Sequence, residues 1–222
     1  MRRRRIIYLH GFASGPGSSK AKYFAENCRA LGLNIVIPDL NEPSFASMTL
    51  SSQIALVDDE VKRAEAENES LTLIGSSMGG LIAVLSSLRH KSIDRLILLA
   101  PAFAIQYRWQ ALWTKDKLDE WQKSGQLDVY HYGYQKDMRL GSAFIADLAN
   151  HKTEDLKIEI PAMVFHGRAD DIVPVDLSIG FAANNPSVTL HVLDDDHQLL
   201  SSVPLIWNMS REFLLSSPTK KC

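Results

Sequence analysis

The sequence predicts an α/β fold: a mostly parallel sheet with helices on both faces, plus a helical insertion over residues 102–160. Three observations lead there. Short unbroken apolar runs recur along the chain, as buried strands of a parallel sheet require when both faces are covered. Helix-length stretches separate them, matching the crossovers that parallel strands need. Between Pro101 and Pro161 this rhythm stops, and half of the aromatic residues gather there. The 222 residues read as a single domain, residues 1–222, with 102–160 as a lid or cap within it.

The elements follow in order. Residues 6–9 form an apolar run closed by His10-Gly11, a buried strand. Residues 18–31 are helical, stopped by Gly32. Residues 35–37 are β-branched and end at Pro38, a strand. Residues 51–68 form a helix with Ile54, Val57 and Val61 on one side and Glu60, Arg63 and Glu67 on the other. A strand at 71–74, a helix at 78–90 and a strand at 96–100 come next. In the insertion no strand is evident, and Trp109, Leu112 and Trp113 share a helical face by their spacing. A strand at 163–166, a helix at 176–184, a strand at 189–193 and a helix at 204–215 complete the chain.

Composition narrows the function. Hydrophobic residues make up 45% and charged residues 23%, which excludes disorder, collagen-like repeats and a disulfide-rich mini-fold. A net charge of −2 gives no electrostatic reason to hold nucleic acid. No apolar run approaches the ~20 residues of a membrane span. Cys28 and Cys222 lie far apart, so no structural disulfide is expected and a cytoplasmic, reducing location fits. The run Arg2 to Arg5 precedes only four apolar residues, too few for a signal peptide, and reads as a solvated end.

The chemistry centres on Gly75-Ser76-Ser77-Met78-Gly79, a G-x-S-x-G between a strand and a helix. A serine on so sharp a turn is held in a strained conformation with Oγ exposed, and small neighbours let the chain cross itself. Only Ser77 has glycine two residues before and after; Ser76 has Ile74 before it. A serine hydroxyl needs a base, and the base an orienting acid. Downstream, His166-Gly167-Arg168-Ala169-Asp170-Asp171 follows one strand and Asp194-Asp195-Asp196-His197 the next. Acids and a histidine therefore sit at carboxyl ends of parallel strands, where open α/β sheets place their sites. His197 is the candidate base; His90, His131, His151, His166 and His191 read as surface or structural residues. The donors for a tetrahedral oxyanion would be the N–H of Met78 and, from the loop after the first strand, that of Phe12.

Other site chemistries fail in detail. Lys20 lies between Ser19 and Ala21, so no P-loop core is present, and Gly15-Pro16-Gly17 lacks the third glycine of a dinucleotide fingerprint. No H-E-x-x-H or paired-cysteine pattern calls for a metal, and residues 194–196 lack calcium-loop spacing and read as a solvated loop.

The chain resembles the α/β-hydrolase superfamily, and within it the small bacterial serine esterases and acyl thioesterases with a His-Gly-Phe first loop. The residues carrying this are Tyr8-Leu9-His10-Gly11-Phe12 with the loop ending in Pro16, Gly75 to Gly80, the segment His166-Gly167…Asp170…Val173-Pro174, and Asp196-His197. The resemblance spans 6–215 apart from the insertion. It implies a compact version of the α/β-hydrolase fold starting at the family's third strand. It selects Asp170 over Asp171 as the acid, with His197 as base and Phe12 and Met78 as oxyanion hole. The expected function is hydrolysis of a carboxylic ester or thioester of a small or acyl-chain molecule through an acyl-enzyme, without metal or organic cofactor. The aromatic load suggests an apolar acyl group, with Trp109 and Trp113 lining its pocket. The competing class is a hydrolase-like protein that binds a small molecule with little turnover. The pattern leaves the oligomeric state open.

Overall fold

The apolar runs of the sequence become strands of one parallel sheet. The structure is a computed structural model that describes residues 3–107 and 113–216. Its strands are β1 (Arg4–Leu9), β2 (Asn34–Val36), β3 (Ser70–Ser76), β4 (Ile93–Leu99), β7 (Ala162–Gly167) and β8 (Val188–Leu193). They pair in the order β2-β1-β3-β4-β7-β8, every neighbouring pair parallel. After β1 the chain places β2 on one side and β3 on the other. The carboxyl ends of β1 and β3 thus flank the point where strand order reverses, the crevice in which open sheets build sites.

Strand alternation divides the core in two. Ile7, Leu9, Leu71, Leu73, Leu96, Leu98 and Val164 face α2 (Leu50–Ala66), α3 (Met78–Arg89) and α6 (Val175–Ala183), the last contributing Phe181. Ile6, Tyr8, Ile74, Ile97, Leu99 and Phe165 face α1 (Ser19–Ala30) and α7 (Val203–Leu215) through Phe24, Cys28, Ile206, Trp207 and Leu214. Both faces are covered, as the sequence predicts. Helix α2 starts at Thr49, whose hydroxyl accepts from the Ser52 N–H while Ser52 Oγ accepts from the Thr49 N–H. Cys28 is a free, buried thiol; Cys222 and Trp109 lie outside the described residues.

The segment between β4 and β7 departs from expectation. It holds α4 (Lys115–Ser124), the antiparallel hairpin β5 (Gln126–His131) and β6 (Lys136–Gly141), and α5 (Ala143–Leu148), so it is not purely helical. Leu127 and His131 of β5 are buried, and the residues between them that face out are polar or aromatic. This period-two pattern is only six residues long, and its outward aromatic, Tyr130, masks it. The hairpin is pinned beneath by Trp121, whose indole N–H donates to the Leu140 carbonyl at 3.0 Å, and at its end by Gly141 N–H to the Ala46 carbonyl at 2.9 Å. Helix α5 is tied to the start of α2: the N–H and Oγ of Ser51 donate to the Asp147 carboxylate at 2.8 and 2.6 Å.

Within the N-terminal arginine run, Arg5 differs from a solvated end. Arg5 is buried at the start of β1 and forms ion pairs with Glu69 at 2.5 Å and Glu67 at 2.9 Å. Parallel pairing brings these acids there, since Arg4 lies beside Ser70 in the register. Among the described residues no helix is long and apolar enough to cross a membrane.

Candidate active site

Ser77 stands where β3 gives way to α3, with φ 53° and ψ −116°, a conformation costing about 1–3 kcal/mol for a residue with a side chain. Its surroundings hold it there. The Ser77 N–H donates to the Leu99 carbonyl at 2.8 Å, and its own carbonyl accepts from Ala102 and Gly80 at 3.0 and 2.9 Å. The flanking glycines are required by contact. A Cβ on Gly75 would run into the Gly79 carbonyl, and one on Gly79 into the carbonyls of Leu9 and His10. Helix α3 therefore lies directly against the end of β1, and the His-Gly loop beside Ser77. A Cβ on Gly11 would stand 3.3 Å from Ser77 Cβ.

Three strand ends converge. His197 Nε2 is 3.0 Å from Ser77 Oγ, and His197 Nδ1 is 2.7 Å from Asp170 Oδ2. The Asp170 side chain is fully buried; that of His197 is 18% exposed, so the imidazole reaches solvent while its carboxylate does not. The structure sets Asp170, not the exposed Asp171, against His197. Burial alone would raise the Asp170 pKa. Hydrogen bonds from His166 and His197, the charge attraction of His197 and the Val173 N–H outweigh it and hold the carboxyl well below the usual range.

The loop that carries His197 is shaped by its aspartates rather than merely solvated. Asp195 accepts from the N–H groups of Asp196 and Ser202 at 2.8 and 2.9 Å, and Asp196 from that of Gln198 at 2.7 Å. Lys20, on α1, donates to the Gln198 carbonyl. Burial lowers its ammonium to about 8, against the pull of Asp196, Asp195 and Asp170.

Met78 opens α3, where the first N–H groups have no acceptor within the helix. Phe12 packs its ring against Phe45 and Phe144, each 5.6 Å between centroids. The hairpin tip leans on the same loop: Tyr132 N–H donates to the Ala13 carbonyl at 2.8 Å, and His131 meets the Phe45 ring edge-on at 4.9 Å. His10, at the loop's start, is buried and accepts the Leu40 N–H at Nε2, 3.0 Å, leaving Nδ1 to donate to the Gly11 carbonyl at 2.9 Å. Trp113 meets Trp121 edge-on at 5.3 Å. A cavity of about 330 Å³ between α4 and α5 is lined by Trp121, Leu118, Gln122, Ile145, Ala146, Ser142 and Gln106. Among the described residues no group of three or more His, Cys, Asp or Glu could hold a metal ion.

Sequence reasoning passed over His166 as structural. It is fully buried, with Nε2 3.0 Å from Asp170 Oδ2 and 2.8 Å from the Val173 carbonyl, and Nδ1 2.7 Å from Ser178 Oγ. Its spacing, four residues before Asp170, was the available signal.

A parallel sheet whose order reverses at a strained serine elbow defines a class: the fold is that of the α/β-hydrolase superfamily. The chain belongs to the family described as "Uncharacterised protein family (UPF0227)", whose profile matches residues 5–212. Solved structures agree on the fold. Est1E from Butyrivibrio proteoclasticus, solved with ferulic acid bound, superposes with a TM-score of 0.82 at 20% identity, covering 96% of this chain and 89% of its own. Alpha/beta hydrolase domain-containing protein 10 from mouse gives 0.74 at 22% identity, covering 94% and 89%. The esterase Pf2001 of Pyrococcus furiosus gives 0.69 at 21% identity, covering 96% and 82%. A search of curated proteins found no match.

Proposed function

We propose that this protein is a serine hydrolase that cleaves a carboxylic ester or thioester through an acyl-enzyme. The observation that carries the reading is the chain of contacts from Ser77 Oγ to His197 to Asp170, at 3.0 and 2.7 Å, closed to solvent at the acid and open at the base. In the first half-reaction His197 Nε2 takes the Ser77 proton as Oγ attacks the acyl carbon. Asp170 holds the Nδ1–H tautomer and stabilises the imidazolium. The tetrahedral oxygen is received by the N–H groups of Met78 and Phe12; removing one such donor costs about 3 kcal/mol of transition-state stabilisation in enzymes that use them. His197 then hands its proton to the departing alcohol or thiol, and water repeats the sequence on the acyl-enzyme.

The segment 102–160 serves as the lid, and its apolar residues, Trp113 among them, supply the acyl pocket of a protein acting in the cytoplasm. Neighbours of this fold that are named esterases, one of them holding ferulic acid, favour esters with an apolar or aromatic acyl group. A panel of p-nitrophenyl esters from acetyl to palmitoyl, run beside acyl-coenzyme A thioesters, tests this. A peak at one acyl length that vanishes in Ser77→Ala supports the reading, and the better leaving-group series names the bond. Equal rates along the series exclude a defined acyl pocket, and tight ligand binding without turnover favours a receptor.

A further inference from the structure

We propose that His166 is a positioning residue for this reaction: a second imidazole that shares Asp170 Oδ2 with His197 and so sets both the orientation and the basicity of the carboxylate. The inference deepens the serine-hydrolase reading and rests on it.

The carboxylate is fully engaged. Oδ1 accepts the N–H groups of Ile172 at 3.0 Å and Val173 at 2.7 Å, while Oδ2 faces His197 Nδ1 at 2.7 Å and His166 Nε2 at 3.0 Å. An ionised carboxylate has about four lone-pair sites; three are taken by these hydrogen bonds, and His166 Nε2 stands 3.0 Å from the remaining side of Oδ2. The protonation of His166 follows from its neighbours. Nε2 lies near two groups that only accept, the Val173 carbonyl at 2.8 Å, to which it is hydrogen-bonded, and Asp170 Oδ2 at 3.0 Å, so Nε2 carries the hydrogen. Nδ1 faces a hydroxyl, Ser178 Oγ, which can donate to it. A neutral imidazole with its proton on Nε2 therefore satisfies every partner, with the Ser178 hydroxyl on α6 donating to Nδ1. His166, Ser178 and the Asp170 side chain are all fully buried, so no water competes for these bonds.

Two consequences follow. His166 Nε2 stands against the same oxygen that meets His197 Nδ1, which limits the plane in which the carboxylate meets Nδ1. Part of the acceptor strength of Oδ2 is drawn off by His166, which tempers its pull on the His197 proton. The other charged groups around this network are Lys20 from α1 and Asp195 and Asp196 from the loop before His197. None of them changes in the experiment below.

The test compares wild type, His166→Leu, which has no donor, and His166→Gln, whose amide N–H reaches the Nε2 position. Two readouts are taken. One is the downfield proton resonance of His197 Nδ1–H, which needs no turnover. The other is the pH profile of kcat/KM on an ester that the wild type hydrolyses. In His166→Leu the resonance moves further downfield, the acid limb of the profile moves up by about half a pH unit or more, and kcat falls about tenfold to hundredfold, as for small misplacements of catalytic groups. His166→Gln restores much of all three. A resonance and an acid limb unmoved in folded His166→Leu overturn the proposal, leaving His166 a packing residue. Should the leucine variant not fold, the ¹⁵N spectrum of wild type decides. A neutral His166 protonated at Nε2 supports the proposal, and one protonated at Nδ1 overturns it. A wild type that cleaves neither ester nor thioester, while His166→Leu still shifts the resonance, refutes the hydrolase reading and retains the hydrogen-bond assignment.

Discussion

Ser77 carries the largest local strain that the proposed chemistry uses. At φ 53° a glycine is at ease, so Ser77→Gly is expected to stabilise the fold by about 1 kcal/mol while abolishing hydrolysis, read by urea unfolding beside ester turnover. Asp170 makes the second residue-scale prediction. Its pKa in the folded protein lies below that of an ordinary carboxyl, so it binds protons less readily than in the unfolded chain. The stability this contributes is fully present above the unfolded value, about 3.9, and is lost as pH falls through and below it. Urea unfolding from pH 6 to pH 3 is expected to show wild type losing stability faster than Asp170→Asn. Parallel curves would place the carboxyl's pKa where an unfolded chain has it. At neutral pH the same substitution is expected to cut turnover by about 10⁴, since the amide cannot hold the Nδ1–H tautomer.

At the scale of elements, the contact of α3 with β1 and that of the hairpin with the His-Gly loop position the site. Gly79→Ala would drive a methyl into the carbonyls of Leu9 and His10, so α3 must move away from β1. We expect loss of more than about 3 kcal/mol, measured by thermal or urea unfolding, as for other overpacked backbone contacts. Gly133→Ala acts more gently. Its Cβ would stand 3.1 Å from His131 Cε1 and 3.2 Å from Gly15 N, so the hairpin tip shifts against the loop that holds Phe12. A several-fold drop in kcat with little change in melting temperature is expected; a melting temperature that falls in step with kcat would make the hairpin only a structural prop.

For the whole molecule, most of the sheet was legible and the insertion was not. The runs at 6–9 and 96–100 are unbroken, and those at 71–74 and 163–166 nearly so, because β1, β3, β4 and β7 are inner strands covered on both faces, so pattern and burial coincide. Ser77 and His197 were legible because a strand-to-helix turn and a strand-end loop are local features. Choosing between Asp170 and Asp171 needed the family resemblance, because adjacent acids differ only in direction. The hairpin escaped because its period-two pattern spans only six residues and includes an outward aromatic, Tyr130. Arg5 escaped because its partners, Glu67 and Glu69, are more than 60 residues away and meet it only through parallel pairing. That buried cluster yields its own prediction. Arg5→Leu leaves Glu69 without its cation and is expected to cost about 3–5 kcal/mol by urea unfolding. The claim on which the functional account turns is that His197 makes Ser77 a nucleophile. A fluorophosphonate probe on the intact protein, with the modified peptide mapped by mass spectrometry, measures this most directly. The account predicts one adduct, on Ser77, formed rapidly in wild type and lost in His197→Ala. An adduct on another residue, or labelling of Ser77 that persists unchanged without His197, would contradict it.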